Sequence, residues 1–529
     1  MNIYTEGTAT LNDSSALMKI YEGVKHTEIS EEFILPDYLP DIKRIIRVDA
    51  TPKIDGKFIT SGKVDYEGDV ICHLLFCDDE NRLKTVTFTA AFSDSIELSG
   101  TDDECIANLI PTPESISCRM INPRRISLRL RLDTDTTIWC KRSFAPEISG
   151  KRSPAGYETL TRNVEVMELI CAGESGLNAS ADLEADGALP QIGEVISCNV
   201  DMSFYECKGS DGRVLCRGDM PVTVFYSTPQ VSDPDTGEVT SETYTVLYRK
   251  LPIAQVVGAE GVDEGYDCMA RGSIDDVKVT VAENGFGERR ILELDVTYRI
   301  YLNCVGRSEV TLTEDMYAVD RDVSTVKKKS TFCRFSRSYS SSFSSNLALT
   351  RDELNISDAD SIFEVSAHPK VTEVSLSDDN RKLLVRGQSA TSAILHGADG
   401  LFSVDYQVPF SIELDPTGVP ADFIYNSDTV CMSARGRLDG EKLYTELEMQ
   451  INLMILGKSE LTVLESAELT EKSESPELPE MRFFYPQPGE TLWDIGKQFG
   501  VSRKALSELN ELTDESVPEM LFIPTKKAL

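Results

Sequence analysis

The side chains that could do chemistry in this chain are carboxylates, thiols, four histidines and one tryptophan close to the C-terminus. Asp and Glu account for 88 of 529 residues, so neighbours such as Asp37 and Asp41 arise from abundance. A sugar-cleaving pair needs one carboxyl held as an acid and a second as base or nucleophile across the same bond. Asp41 lies in a leading segment and Asp65 follows Gly62, but later segments of similar pattern keep neither carboxylate. His26, His73, His368 and His396 neither cluster along the chain nor share ligand spacing with cysteines. Neither a metal centre nor a Ser-His-Asp arrangement is expected from them. Gly-x-Ser-x-Gly, phosphate-loop and His-Glu-x-x-His patterns are absent. The expectation is no catalytic residue, no metal ligand and no cofactor: a chain that holds something and is not an enzyme.

Trp493 is the exception, and its position comes from the helix around it. Gly489, Glu490 and Thr491 form a turn, and Thr491 with Asp494 has the spacing of a capping box. Leu492, Ile495 and Phe499 recur as one apolar helical face. Gly500 ends that helix, and Ser502 caps a second one whose apolar side is Ala505, Leu506 and Leu509. Leu521 to Ile523, closed by Pro524, is a short strand expected to pair with Arg482 to Tyr485. Trp493 is offset by one position from the apolar stripe. It is therefore expected at the edge of the core, partly exposed, with Lys497 one turn further on the same side. A tryptophan flanked by charge is the composition of an interface anchor. Trp493, Lys497 and Tyr485 are the expected partner-binding residues.

This strand-helix-helix-strand tail resembles a LysM module, a family that usually grips N-acetylglucosamine glycans. The resemblance implies a glycan groove between the loop after the first strand and the loop before the last. Its residues here would be Gly489, Glu490, Thr491, Asn510, Pro518 and Glu519. Glu490 stands where the family often has Asp, and Pro518-Glu519-Met520 replaces a Pro-Gly-Gln turn.

Composition bounds the remainder. A formal net charge of −35 argues against nucleic acid, whose phosphates demand clustered cations, and against an anionic membrane surface. Residues 1–10 have neither the charged leader nor the apolar stretch of a signal peptide, and no run is long and apolar enough for a membrane helix. Thirteen dispersed cysteines, without a Cys-x-x-Cys pair, read as reduced thiols of a cytosolic protein.

The first 470 residues repeat a pattern at long range. Three stretches, Ile59 to Phe76, Val214 to Tyr226 and Leu384 to Leu395, each run as a strand through a glycine, namely Gly62, Gly218 and Gly387. Alternating runs follow at Thr85 to Phe92, Tyr244 to Ile253 and Phe402 to Ile412. Closing strands follow at Ile126 to Leu132, Ile291 to Ile300 and Leu443 to Leu453. Period-two alternation signals strands with one wet face. The fold class expected is mainly β. Three related β-rich, sandwich- or barrel-like domains stand in tandem before a small βααβ module, and each is expected to fold alone.

The leading segment, Pro36-Asp-Tyr-Leu-Pro-Asp-Ile-Lys-Arg-Ile-Ile-Arg-Val-Asp-Ala50 with Gly62-Lys-Val-Asp-Tyr66 after it, is similar to the SPOCS domain of clostridial spore-coat morphogenetic proteins. Those proteins place SPOCS repeats before a C-terminal LysM module. The resemblance implies a scaffold that couples the coat to the forespore surface from the mother-cell cytosol. It also implies a LysM module that binds a protein, the coat-anchoring ATPase called stage IV sporulation protein A. The alternative is a peptidoglycan-binding wall or cortex protein, and a further rival is a phage-tail or injection-system part. The domain division expected is 1–160, 161–325, 326–465, an acidic tether at 466–480 and the module at 481–526. Lys327 to Arg337, running into the serines of 338–345, is expected to be a solvated connector.

Overall fold

The alternation becomes long antiparallel strands. The computed structural model describes residues 15–60, 62–98, 105–150, 153, 156–229, 243–356, 359, 361–398, 400–472, 481–513 and 516–524. Residues 1–10, read above for a leader, lie outside them. The first unit comprises β1 (Ser15–Ile34), β2 (Arg44–Thr60), β3 (Lys63–Cys77), β4 (Leu83–Glu97), β5 (Cys105–Asn122) and β6 (Arg125–Ser143). They make two three-stranded sheets, ordered β1-β6-β5 and β2-β3-β4. Val64, Tyr66, Val70 and Cys72 of β3 and Leu128, Leu130 and Leu132 of β6 meet in one core, so the unit is a β-sandwich.

The short β7 (Glu147–Gly150) leads to the second unit. That unit has β8 (Tyr157–Glu184), β9 (Val195–Val200), β10 (Ser203–Ser210), β11 (Arg213–Ser227), β12 (Tyr244–Gly258), β13 (Asp267–Glu283) and β14 (Arg289–Ala318). Here β14 lies between β13 and β8, while β11 pairs with β12 on one side and with β9 and β10 on the other. The third unit has β15 (Arg321–Thr350), β16 (Ser361–Leu376), β17 (Leu383–Gly397), β18 (Gly400–Leu414), β19 (Phe423–Asp439) and β20 (Lys442–Glu471), in sheets β15-β20-β19 and β16-β17-β18. The mainly β fold with three related sandwiches is the one the alternation predicts.

The repeat is more regular than the glycine match suggested, and that match shifts in the first unit. Gly62 is a turn residue with φ 86°, between β2 and β3. The counterpart of Gly218 and Gly387 is Gly68. Each of the three faces a bulge in the neighbouring strand, opposite Ile54, Phe204 and Val371. A Cβ there would lie 2.0 Å from Lys53 O, 2.0 Å from Ser203 O and 2.4 Å from Lys370 O. The bulge drives a carbonyl into the space of a side chain, so only glycine fits. The leading loops correspond too. Arg124 Nη2 donates to Pro36 O at 2.9 Å and Nη1 to Asp41 at 2.8 Å, and Arg290 Nη1 donates to Leu189 O at 2.9 Å. Asp41 thus braces a loop.

Two expected connectors are strand. Lys327 to Ser345 lies within β15, paired along its length with β20. Lys328 and Lys329 meet Glu465 and Glu460 at 2.9 and 3.3 Å. The serines alternate with Tyr339, Phe343 and Leu347, which pack on the core. A small polar residue on the wet face of a long strand has the composition of a linker, which is why local reading mistook it. The tether is shortened likewise: β20 runs to Glu471, with Ser466 to Leu469 also paired to β7 in parallel. Residues 473–480 lie outside the described residues.

The three units share core. Ile46, Leu75 and Leu83 of the first, Ile196 and Phe225 of the second and Ile394 and Leu401 of the third form one buried cluster. Met18, Val166, Val310, Leu312, Phe332 and Val463 form another. Beside the first cluster a polar node also draws on all three units. Arg47 ion-pairs with Glu364 at 3.0 Å, and Asn199 Nδ2 donates to Glu364 at 3.4 Å. Arg47 and Glu364 are 7% and 1% exposed. Three units expected to fold alone are thus packed together through common apolar clusters.

Eleven of the thirteen cysteines are free, but Cys105 and Cys140, which the thiol reading leaves reduced, face each other across β5 and β6 and are joined by a disulfide. Register brings them together from 35 residues apart.

Candidate binding site of the C-terminal module

The module is β21 (Met481–Phe484), α1 (Leu492–Phe499), α2 (Arg503–Leu509) and β22 (Leu521–Pro524). Thr491 caps α1 as its spacing predicts. Its Oγ1 accepts from Asp494 N at 3.3 Å, and its own N donates to the Asp494 carboxylate at 2.9 Å. Gly500 closes α1 with φ 64°, in the left-handed region that favours glycine. Leu492, Ile495, Val501, Leu506, Leu521 and Ile523 make the core, with Phe484 and Phe499 packed on it. Leu509, expected on the buried side of α2, is exposed.

Asn510 has a structural post. Its Nδ2 donates to Leu506 O at 2.8 Å and Phe522 O at 2.9 Å, and its Oδ1 accepts from Phe522 N at 2.7 Å. It ties the end of α2 to β22, so its polar atoms are spent inside the module and it is not a groove residue. The remaining groove candidates stay together. Phe484 pairs with Leu521, so the loop leaving β21 and the loop reaching β22 meet at one end of the hairpin. Gly489, Thr491 and Glu519 are exposed there, with Glu490 and Pro518 half-buried. The Glu490 carboxylate accepts from Gln487 N at 2.7 Å, which shapes the first loop. Tyr485 is 66% exposed beside it.

Trp493 lies elsewhere, and it is not at a free edge. It is 4% exposed, yet it is outside the module's own core. Its ring packs edge-on against Tyr317 of β14 at 4.8 Å between centroids, with the Arg503 guanidinium over it at 5.4 Å. Around this ring pair the module is bonded to the second unit. The Tyr317 hydroxyl donates to Val501 O at 2.9 Å, Arg503 pairs with Glu158 at 3.0 Å, and Lys497 pairs with Asp315. A Cβ on Gly496 would lie 2.4 Å from the Tyr317 hydroxyl, so the helix face needs glycine there. Burial raises the Tyr317 phenol pKa well above its usual range. The module therefore sits on the body, with the faces of Trp493 and Lys497 already occupied. Nothing near Trp493 in the sequence points to Tyr317, 176 residues upstream; an exposed-looking tryptophan between cations was the one signal that a second surface existed.

Two other places could carry chemistry. His26 Nδ1 lies 2.6 Å from Asp133, and the ligand atoms of His26, Glu114 and Asp133 are all within 4.8 Å of one another. Lys370 also pairs with Asp133 at 3.0 Å and Arg131 with Glu114 at 2.6 Å, so cationic side chains already occupy those carboxylates. A cleft of about 330 Å³ between the second and third units is lined by Ser203, Tyr205, Asp219, Lys250, Ser340 and Gln450, among others. Its serines are bonded to Gln450 and Asn452, and no histidine lines it.

Two family models match this chain. The one described as SipL, SPOCS domain, matches residues 41–121 and 191–282; the LysM domain matches residues 487–519. No curated protein and no solved structure matches it.

Proposed function

From a chain that carries SPOCS domains of the SipL type ahead of a C-terminal LysM domain, we propose a non-enzymatic scaffold of endospore formation. It links the spore coat to the forespore surface from the mother-cell cytosol, and its LysM domain binds a coat-anchoring ATPase of the stage IV sporulation protein A type. The SPOCS and LysM pair fits a sporulation protein with a wall-binding module. One observation supports a protein as the ligand: the module surface around Trp493 makes a protein contact, with a buried aromatic ring between ion pairs. Buried aromatic and arginine anchors are what protein interfaces are built on.

A second reading has its own support. The loops at Gly489–Thr491 and Pro518–Glu519 lie open at one end of the hairpin, where a LysM domain takes glycan. The experiment that separates the two uses the full chain and a chain ending at residue 480. Each is incubated with purified ATPase and, separately, with purified sacculi. Retention of the ATPase by the full chain alone supports the scaffold. Sedimentation with sacculi and no ATPase retention supports the glycan reading and sinks the scaffold. A fluorescent fusion should gather around the forespore.

A further inference from the structure

The seat of the LysM domain is a pair of matched faces. The module offers Trp493 between Lys497 and Arg503, and the body offers Tyr317 between Asp315 and Glu158. The module is close to neutral, with 6 Lys and Arg against 7 Asp and Glu in residues 481–529, while the whole chain carries −35. Two of its cations are spent on this face. The apolar part of the contact is chiefly one ring pair. Each ion pair joins a more exposed side chain to a more buried one, Lys497 (42%) to Asp315 (12%) and Glu158 (21%) to Arg503 (13%). Desolvation of the buried partners offsets much of the Coulomb attraction in such pairs. Any surface presenting the same pattern satisfies the same groups, so this contact can be exchanged. The core of the module does not depend on it, since Leu492, Ile495, Val501, Leu506, Leu521 and Ile523 close without Trp493.

We propose that Glu158, Asp315 and Tyr317 form an internal stand-in for the epitope of the module's partner. That epitope is an aromatic ring between two carboxylates presented by a pair of antiparallel strands, as Glu158 of β8 faces Tyr317 of β14. Trp493, Lys497 and Arg503 take it when the module leaves its seat. The inference rests on the reading that the LysM domain binds a protein. It follows that seat and partner compete, and that apparent affinity is lowered by the fraction of chains whose seat is closed.

The test uses the full chain with purified coat-anchoring ATPase as the probe. Labelling with 5-fluorotryptophan gives two fluorine resonances, from Trp139 and Trp493, and the one lost in Trp493→Phe reports the seat. Tyr317→Ala and Glu158→Arg each open the seat from the body side and leave the module untouched. In both, the Trp493 resonance should shift to a solvent-exposed position, and the ATPase should bind about tenfold tighter than to the wild type. Adding Lys497→Glu to the Tyr317→Ala chain should then weaken ATPase binding by about tenfold, an effect that cannot run through a seat already open. Open-seat chains that bind with wild-type affinity would overturn the proposal, as would a Lys497→Glu change without effect in that background. Failure of every chain to hold the ATPase is a different result: it removes the protein-binding reading, and the proposal with it. Should Tyr317→Ala lower the melting temperature of the body, Glu158→Arg decides.

Discussion

Two contacts between parts of this molecule differ in kind. Where the three β units meet, side chains from all of them form continuous apolar clusters around a buried Arg47–Glu364 pair. Where the LysM domain meets the second unit, one ring pair, one hydrogen bond and two ion pairs carry the contact. The first resembles the interior of a domain, and the second resembles a transient protein interface. Units that share core stand or fall together, whereas a module with its own core can leave without unfolding. The molecule is one body with one removable part, although the chain reads as three similar units and a separate module.

The largest test of that contrast strikes the shared core. Phe225 is fully buried among residues of all three units, so Phe225→Ala should lose about 3–5 kcal/mol and lower one common transition. Calorimetry should record that all three units melt together. If the second unit alone shifted, the shared core would not couple them.

A pH experiment probes another part of the junction. Asp428 of β19 lies 3.3 Å from Arg271 of β13, and burial pushes its carboxyl up to about 6 against the pull of that arginine. Between the unfolded value near 3.8 and about 6, the folded chain binds the proton and the unfolded chain does not. Its contribution therefore favours the fold as pH falls through that window and opposes it above. Asp428→Asn removes this titration. Its stability relative to the wild type should fall by about 2 kcal/mol on going from pH 7 to pH 4. Denaturant curves at both pH values check it, and parallel behaviour of the two proteins would count against a carboxyl charged and buried at neutral pH.

The smallest effects belong to the module and sharpen its side of the contrast. Asn510→Ala strips hydrogen bonds inside the module and should lower its own stability by about 1–3 kcal/mol. Trp493→Ala should leave that transition nearly in place while abolishing the seat. Hydrogen exchange of α1 and α2 separates the two. If Trp493→Ala melted the module as Asn510→Ala does, the tryptophan would be a core residue after all.

Much of this was legible along the chain because it depends on neighbours in sequence. The capping of α1 by Thr491 needs only Asp494, and the alternating strands around Gly218, Gly387 and their neighbours declare themselves by period. What failed to show has a common cause. The equivalence of Gly68 with Gly218 and Gly387 depends on bulges in other strands. The serine run reads as a linker because its pairing partner, β20, lies about a hundred residues away. Asn510 looks like a ligand-facing residue until Phe522 is placed beside it.

The sequence by itself determined that the chain is mainly strand, where several strands of each unit run, that three units follow one plan, and that a βααβ module closes the chain. Those features follow from period, capping and local apolar spacing, which act over a few residues. Tertiary structure alone decided that the units share their core, and that Cys105 meets Cys140. It alone decided that Trp493 is covered by Tyr317 rather than open to a partner. Each of these depends on which surfaces meet. Amphipathic patterning states that a face must be buried, but not what buries it.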